Sequence, residues 1–150
     1  MNVTLASLRR QVAELEHARL VAMRDVADCE WRLARVMPSE RESVRAELDA
    51  AQKELARLSR ELNEARLEFQ RVESEVNGRR LARKALIDAL RPGGEFDNRI
   101  VQRREMHAAL PDFALVNQEY FDSVEAKAAA VKRVEQLSTE IAALQGEECQ

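Results

Sequence analysis

The chain has few of the residues that break helices or fill compact mixed cores. Its 150 residues include only four glycines, three prolines, one tryptophan, one tyrosine and four phenylalanines. Because turn formers and aromatics are this rare, an all-α chain is predicted. No run approaches the roughly 18–20 consecutive apolar residues of a membrane span, and the first residues, MNVTLASLRRQ, lack the pattern of a secretory signal. We therefore expect a soluble, cytoplasmic protein without membrane contact.

Catalytic and metal-binding motifs are missing as well. The two cysteines cannot form a disulfide framework, and the two histidines, His17 and His107, fall on different predicted helices. The sequence contains no CxxC or HExxH pattern, and Arg91-Pro92-Gly93-Gly94 lacks the ending of a phosphate-binding loop. We therefore predict that the protein is not an enzyme and binds no cofactor, metal ion or small-molecule substrate.

What the sequence does contain is a long apolar repeat on both sides of Pro38-Ser39. Apolar residues alternate there at spacings of three and four, and the residue numbers of each facing pair add to 77. The pairs are Leu33–Val44, Cys29–Leu48, Val26–Ala51, Ala22–Leu55, Arg19–Leu58, Leu15–Leu62, Val12–Ala65, Leu8–Phe69 and Leu5–Val72. This pattern predicts an antiparallel coiled-coil hairpin. Arg19 interrupts it, either to fix the register or with its charged end reaching out to solvent.

The hairpin helices are predicted at about 3–37 and 40–90. Pro38 ends the first helix, and Ser39 with Glu42 forms a capping box at the start of the second. After Val76 the seam positions become arginines, so the apolar face is expected to shift. It would then comprise Leu81, Ala82, Ala85, Leu86, Ala89 and Leu90.

The stretch Arg91-Pro92-Gly93-Gly94 predicts a break at which the chain reverses. A C-terminal helical segment at about 98–145, which Pro111 either kinks or divides by opening a fourth segment, is expected to pack back and give an elongated three-helix bundle. A surface for this segment is predicted on the first helix, where small and apolar residues recur every seven positions: Ala6, Ala13, Leu20, Ala27 and Ala34. The alternative is that a second copy of the chain packs on this surface. We predict one elongated domain over 1–150: the hairpin at 3–76, a basic part at 77–110, the C-terminal helix at 111–145 and a tail at 146–150.

Charge is unevenly distributed along the chain. The net charge is −3, yet residues 79–104, called here the basic elbow, carry eight basic and three acidic residues. The basic residues are Arg79, Arg80, Arg83, Lys84, Arg91, Arg99, Arg103 and Arg104. They are candidates for contact with an acidic protein surface or with nucleic-acid phosphates. Nucleic acid is the less favoured partner, because the elbow has no interleaved exposed aromatics and no DNA-binding motif.

A second set of candidates is apolar. Phe96, Phe113, Tyr120 and Phe121 are expected to form a small core under the elbow. Trp31 points away from the seam, so it either docks the C-terminal helix or anchors a partner. The predicted protein interface comprises Leu20, Met23, Trp31, Tyr120 and Phe121. A glutamate row on the second helix, every seventh residue from Glu40 to Glu75, is either a solvated edge or a site for a basic partner.

The leading functional prediction is a coiled-coil adaptor, scaffold or assembly factor that binds a protein partner. A homodimer is a further expectation. In shape alone, the helical hairpin resembles coiled-coil stalk proteins of flagellar and secretion ATPases, phage scaffolding proteins and prefoldin-like chaperones. That resemblance implies a role as an assembly factor of the phage or secretion-apparatus type. The alternatives are a nucleic-acid-associated protein using the basic elbow, and a small helical inhibitor or regulator of another protein.

Overall fold

A computed structural model describes residues 3–146, which leaves the last four residues of the predicted tail outside the description. In this range the chain forms α1 (Leu5–Leu33), a 3-10 turn (Pro38–Glu40), α2 (Arg41–Ala89), α3 (Glu95–Ala109) and α4 (Ala114–Gln145). The predicted all-α class, with helices packed on helices, is confirmed. No helix among the described residues is long and apolar enough to cross a membrane. The chain divides into two compact units, residues 1–73 and 74–150, and α2 contributes to both.

In the first unit, α1 begins and ends at local sequence signals. The Thr4 side chain accepts a hydrogen bond from the Ser7 backbone at 3.1 Å, while the Ser7 side chain accepts one from the Thr4 backbone at 3.0 Å. This capping box satisfies donors that the first helical turn leaves free. The helix ends at Leu33, four residues before the predicted end, and Met37 is already extended. A residue that precedes proline avoids the helical region, so the chain leaves the helix before Pro38.

The predicted seam between α1 and α2 is confirmed. None of the eighteen predicted seam residues is exposed, and half of them are fully buried. The buried ones are Leu5, Leu8, Ala22, Cys29, Val44, Leu58, Leu62, Ala65 and Val72. Full burial of a leucine contributes about 1.5–3 kcal/mol, so the layers around Leu62, which is 1% exposed, are a main source of hairpin stability.

In α2 the seam spacing of three and four continues past Val76 without a change of phase. Arg79, Arg83, Leu86 and Leu90 follow at this spacing and are half-buried, whereas Leu81 is 69% exposed. The predicted shift of the apolar face is therefore wrong for Leu81, Ala82 and Ala85, which are exposed, whereas the other three residues of that face are half-buried. Arginine can occupy a seam because its methylene stem packs on apolar neighbours while its charged end reaches a polar partner.

In the second unit, the chain does not reverse at Pro92-Gly93-Gly94 as predicted. Arg103, eight positions before Pro111, pairs with Glu119, eight positions after it. Farther out, Asp97 pairs with Lys127, and Arg79 pairs with Glu140. Partners that lie at similar distances on either side of Pro111 show that the reversal is at 110–113. Thus α4 runs antiparallel both to α3 and to the end of α2, and residues 90–94 interrupt two helices that run in the same direction.

Two glycines shape this interruption. Gly93 has a φ of 76°, in the left-handed region that favours glycine. A Cβ on Gly94 would lie 2.7 Å from the carbonyl oxygen of Ala89 and 2.8 Å from that of Arg91. The Asp97 carboxylate accepts a hydrogen bond from the Gly93 backbone at 3.2 Å and another from Lys127 on α4 at 2.7 Å. The break is therefore fixed by sterics and tied to α4 by one carboxylate.

We predict that Gly94→Ala destabilises the protein, because the added Cβ meets backbone atoms that cannot move without bending the chain. The free energy of unfolding, measured by urea denaturation, should fall by more than about 1 kcal/mol. Gly78→Ala is the matched control, since a Cβ there meets nothing within 4 Å. In mid-helix it should be neutral or stabilise by up to about 1 kcal/mol. Equal effects of the two substitutions would contradict the described geometry.

Arg19 is half-buried, and its Nε is buried without a hydrogen-bond partner among the described residues. A buried unpaired donor costs about 1–3 kcal/mol. We therefore predict that Arg19→Leu raises the free energy of unfolding, whereas Arg60→Leu on the exposed side of α2 leaves it nearly unchanged. Urea denaturation of the two variants beside the wild type measures both effects. A loss of stability in Arg19→Leu would show instead that the guanidinium supports the seam.

Candidate functional site

Three arginines of the basic elbow lie in the seam of the second unit. Arg79 donates to Glu140 at 3.1 Å, Arg83 to the Ser138 hydroxyl at 3.3 Å, and Arg103 to Glu119 at 2.9 Å. All three partners are on α4, so these bonds hold α4 against α2 and α3. A ligand that used these guanidinium groups would compete with contacts that hold the unit together.

Two further basic residues pair with carboxylates on their own part of the chain. Arg91 lies 2.8 Å from Asp88, and Arg99 lies 2.5 Å from Glu95. Their side chains are 71% and 58% exposed, and exposed pairs of this kind contribute at most about 1 kcal/mol. Both guanidinium groups therefore remain accessible to another anion.

The remaining three, Arg80, Lys84 and Arg104, are exposed and form no ion pair with any residue between 3 and 146. Arg80 and Lys84 are four residues apart on α2, so they lie next to each other on the helix surface. The structure thus sorts the predicted contact residues into seam residues, locally paired residues and unpaired surface cations.

Two carboxylates of the second unit, those of Glu140 and Asp97, are held in their charged form by the donors that hydrogen-bond to them. Hydrogen bonds from Arg79 and then Arg133 lower the pKa of Glu140. The pKa of Asp97 is lowered by the hydrogen bond from Lys127 and by the Gly93 backbone donor. Because the pKa is lower in the folded state, these contacts stabilise the fold at pH values above the ordinary carboxyl pKa. This stabilisation is lost as the pH falls through the lowered pKa of the folded state.

The four aromatic residues Phe96, Phe113, Tyr120 and Phe121 do not form the small core expected under the elbow. Phe113 and Phe121 are 54% and 56% exposed, and the other two are half-buried. Instead, the Tyr120 ring stacks on His107, with centroids 5.4 Å apart and planes inclined by 5°. His107 also contacts Asn117, which donates to the Pro111 carbonyl at 3.0 Å. Two helices packed side by side have one seam and no closed interior, so rings off that seam stay exposed.

Among the predicted protein-interface residues, Tyr120 is therefore occupied within its own unit. Phe121 is exposed, and so are three residues of the first unit: Leu20 at 64%, Met23 at 45% and Trp31 at 60%. The Trp31 ring carries the Arg35 guanidinium at 4.3 Å from its centroid. No helix of the first unit packs on Leu20 or Met23, which face away from the seam.

The glutamate row of α2 is largely paired within the chain. Glu47 bonds Arg32 of α1, Glu54 and Glu61 share Arg57, and Glu68 bonds Arg71. Hydrogen bonds from Arg57 and Arg71 lower the pKa values of Glu54 and Glu68. Since the basic groups come from the chain itself, the row resembles a solvated, self-compensated edge more than a site that awaits a basic partner.

Sequence reasoning missed the apolar residues around the second reversal. Leu110 and Leu115 are 53% and 62% exposed, and they flank the exposed Phe113. Pro111-Asp112, a turn pair between two apolar residues, is the signal for this reversal, but Pro92-Gly93-Gly94 is the stronger break and predicts the reversal there. A shallow hollow of about 380 Å³ lies at this turn, lined by residues 109–113.

Residues with metal-ligating side chains do not converge either. In the part of the chain that the structure describes, no group of three or more His, Cys, Asp or Glu is placed to hold a metal ion. No family model, curated protein or solved structure matches the chain. The functional interpretation therefore rests on its own residues.

Proposed function

We propose that the chain is a non-enzymatic, cytoplasmic coiled-coil interaction protein, acting as an adaptor, scaffold or assembly factor for a protein partner. The observation that carries this proposal is the set of large apolar side chains left exposed beside the second reversal. Leu110, Phe113, Leu115 and Phe121 are each between 53% and 62% exposed. Concentrated exposed apolar residues are typical of protein–protein interaction sites, whereas isolated ones need no explanation.

The energetic logic favours a partner with an apolar pocket or groove. An aromatic anchor that enters such a pocket can dominate an interface, because it buries a large apolar area and has few side-chain torsions to order. Phe113 lies at the reversal, and Phe121 lies two helical turns into α4. One partner surface that covers the start of α4 can therefore bury both rings. Burial of these rings would not disturb the seam, which uses other positions of α4.

The test compares proteins captured from the cells in which the chain is naturally made. We expect a partner at near-stoichiometric amount with the wild type, and recovery reduced by at least about tenfold with the double variant Phe113→Ser and Phe121→Ser. Leu81→Ser is the matched control, because Leu81 belongs to the same unit and is 69% exposed. Absence of any stoichiometric partner, or equal recovery with all three proteins, would refute the proposal.

A second candidate function, association with nucleic acid, is favoured by one observation: Arg80, Lys84 and Arg104 are exposed and unpaired within the described residues. Three phosphate contacts would make the logarithm of the binding constant fall with the logarithm of salt concentration with a slope of about −2 to −3. This is a weak, salt-sensitive mode of binding without sequence recognition.

An electrophoretic mobility shift at two salt concentrations measures this binding. The triple variant Arg80→Glu, Lys84→Glu and Arg104→Glu should abolish a low-salt shift. Arg41→Glu, Lys53→Glu and Arg60→Glu on the exposed surface of α2 changes the net charge equally and should preserve it. If wild type gives no shift even at low salt, nucleic-acid binding by the elbow is excluded.

A further inference from the structure

One flank of the second unit carries exposed valines beside the ion pair of Asp97 and Lys127. Val101 stands four positions after Asp97 on α3. On α4, Val124 and Val131 stand three positions before and four positions after Lys127. Residues three or four apart share a face of a helix, so these valines lie next to the ion pair. They are 41%, 41% and 45% exposed, and antiparallel packing puts Val101 and Val124 at nearly the same height along the pair.

Ile87 of α2 extends this flank. Arg83 donates to Ser138 of α4 at 3.3 Å, and Ile87 lies one turn after Arg83, while Val131 lies two turns before Ser138. Ile87 and Val131 are therefore also at nearly the same height, and Ile87 is 46% exposed. The set is called here the apolar flank: Ile87, Val101, Val124 and Val131.

The opposite flank of α4 is charged, and its charges are paired within the chain. Glu119, Arg133 and Glu140 stand there at multiples of seven positions. Glu119 pairs with Arg103, and Glu140 pairs with both Arg79 and Arg133. The second unit thus satisfies one flank internally and leaves branched apolar side chains exposed on the other, which is typical of an interaction surface.

The ion pair on the apolar flank is complementary to a second copy of itself. A two-fold axis parallel to α4 keeps every residue at its height and brings α4 of one copy beside α2 and α3 of the other. Asp97 of each copy then faces Lys127 of the other copy. A two-fold axis perpendicular to the helices at this height would instead place Asp97 against Asp97, and like charges repel.

A second pair of charges follows the same rule. Lys84 stands three positions before Ile87, and Glu135 stands four positions after Val131, so both border the apolar flank at nearly one height. Both are exposed and form no ion pair with another residue between 3 and 146. The parallel two-fold axis brings Lys84 of each copy to Glu135 of the other copy.

We propose that a second copy of this chain covers the apolar flank, so that the two second units form one bundle with a two-fold axis parallel to α4. A two-fold interface uses the same surface on both copies. Two apolar layers result, with the ion pairs between them: Ile87 with Val131, and Val101 with Val124, from both copies. Burial of the apolar layers stabilises the dimer, and the charges fix its register. Neither layer uses Phe113 or Phe121, so the proposal goes beyond the proposed function.

The oligomeric state, measured by sedimentation equilibrium over a range of concentrations, tests the proposal. We expect a dimer for the wild type and at least about tenfold weaker dimerisation for Val101→Glu, which brings two carboxylates into an apolar layer. Met106→Glu is the matched control, because Met106 on α3 is 44% exposed and lies three positions after Arg103, on the charged side. A monomeric wild type, or equal effects of the two substitutions, would overturn the proposal. Circular dichroism verifies that each variant is helical.

Charge exchange between two copies tests the arrangement. Lys84→Glu and Glu135→Lys each create two like-charged contacts per dimer, so each should weaken self-association by about threefold to tenfold. In an equimolar mixture of the two variants, every such contact again joins opposite charges. The heterodimer should therefore predominate in native mass spectrometry with one protein isotopically labelled. A statistical mixture of homodimers and heterodimers would rule out the parallel two-fold axis.

Discussion

The fold depends on the unbroken three-and-four spacing of the α2 seam from Val44 to Leu90. Within each unit, the part of α2 that keeps this phase presents a single edge, and the unit buries that edge. In the first unit the partner is α1, and in the second it is α4. A single inserted or deleted residue inside one of these seams would rotate the later seam positions of that unit away from their partners. The spacing within each seam is therefore constrained more strictly than the identity of most residues between the seam positions.

The two seams solve the same packing problem with different chemistry. The first is apolar except at Arg19, so its strength comes from the removal of apolar surface from water. The second includes Arg79, Arg83, Arg103 and Lys127, each bonded to a polar partner across the helices. Apolar contacts are non-directional, whereas specific polar pairs fix which residues face each other. The second unit therefore exchanges some apolar burial for a well-defined register.

The first hairpin was predictable because its seam consists of regularly spaced apolar residues on both sides of a proline. The second was not, because Arg79 and Arg83 resemble surface residues when only their type is considered. If these two residues are counted as surface residues, the sequence predicts a shifted apolar face and a reversal at Pro92-Gly93-Gly94. Composition also showed that residues 79–104 are basic, but a count of charges cannot separate Arg103, bonded to α4, from Arg104, which is exposed.

Both reversals occur at a proline, and the helices on either side meet first at the layers nearest to it. Those layers close the shortest loops, so they form at the smallest entropic cost. Each hairpin can then extend outward from its own turn, layer by layer, without waiting for the other. Substitutions near Pro38 or Pro111 would thus mainly slow folding, while those at the far ends, such as Leu5, would mainly speed unfolding.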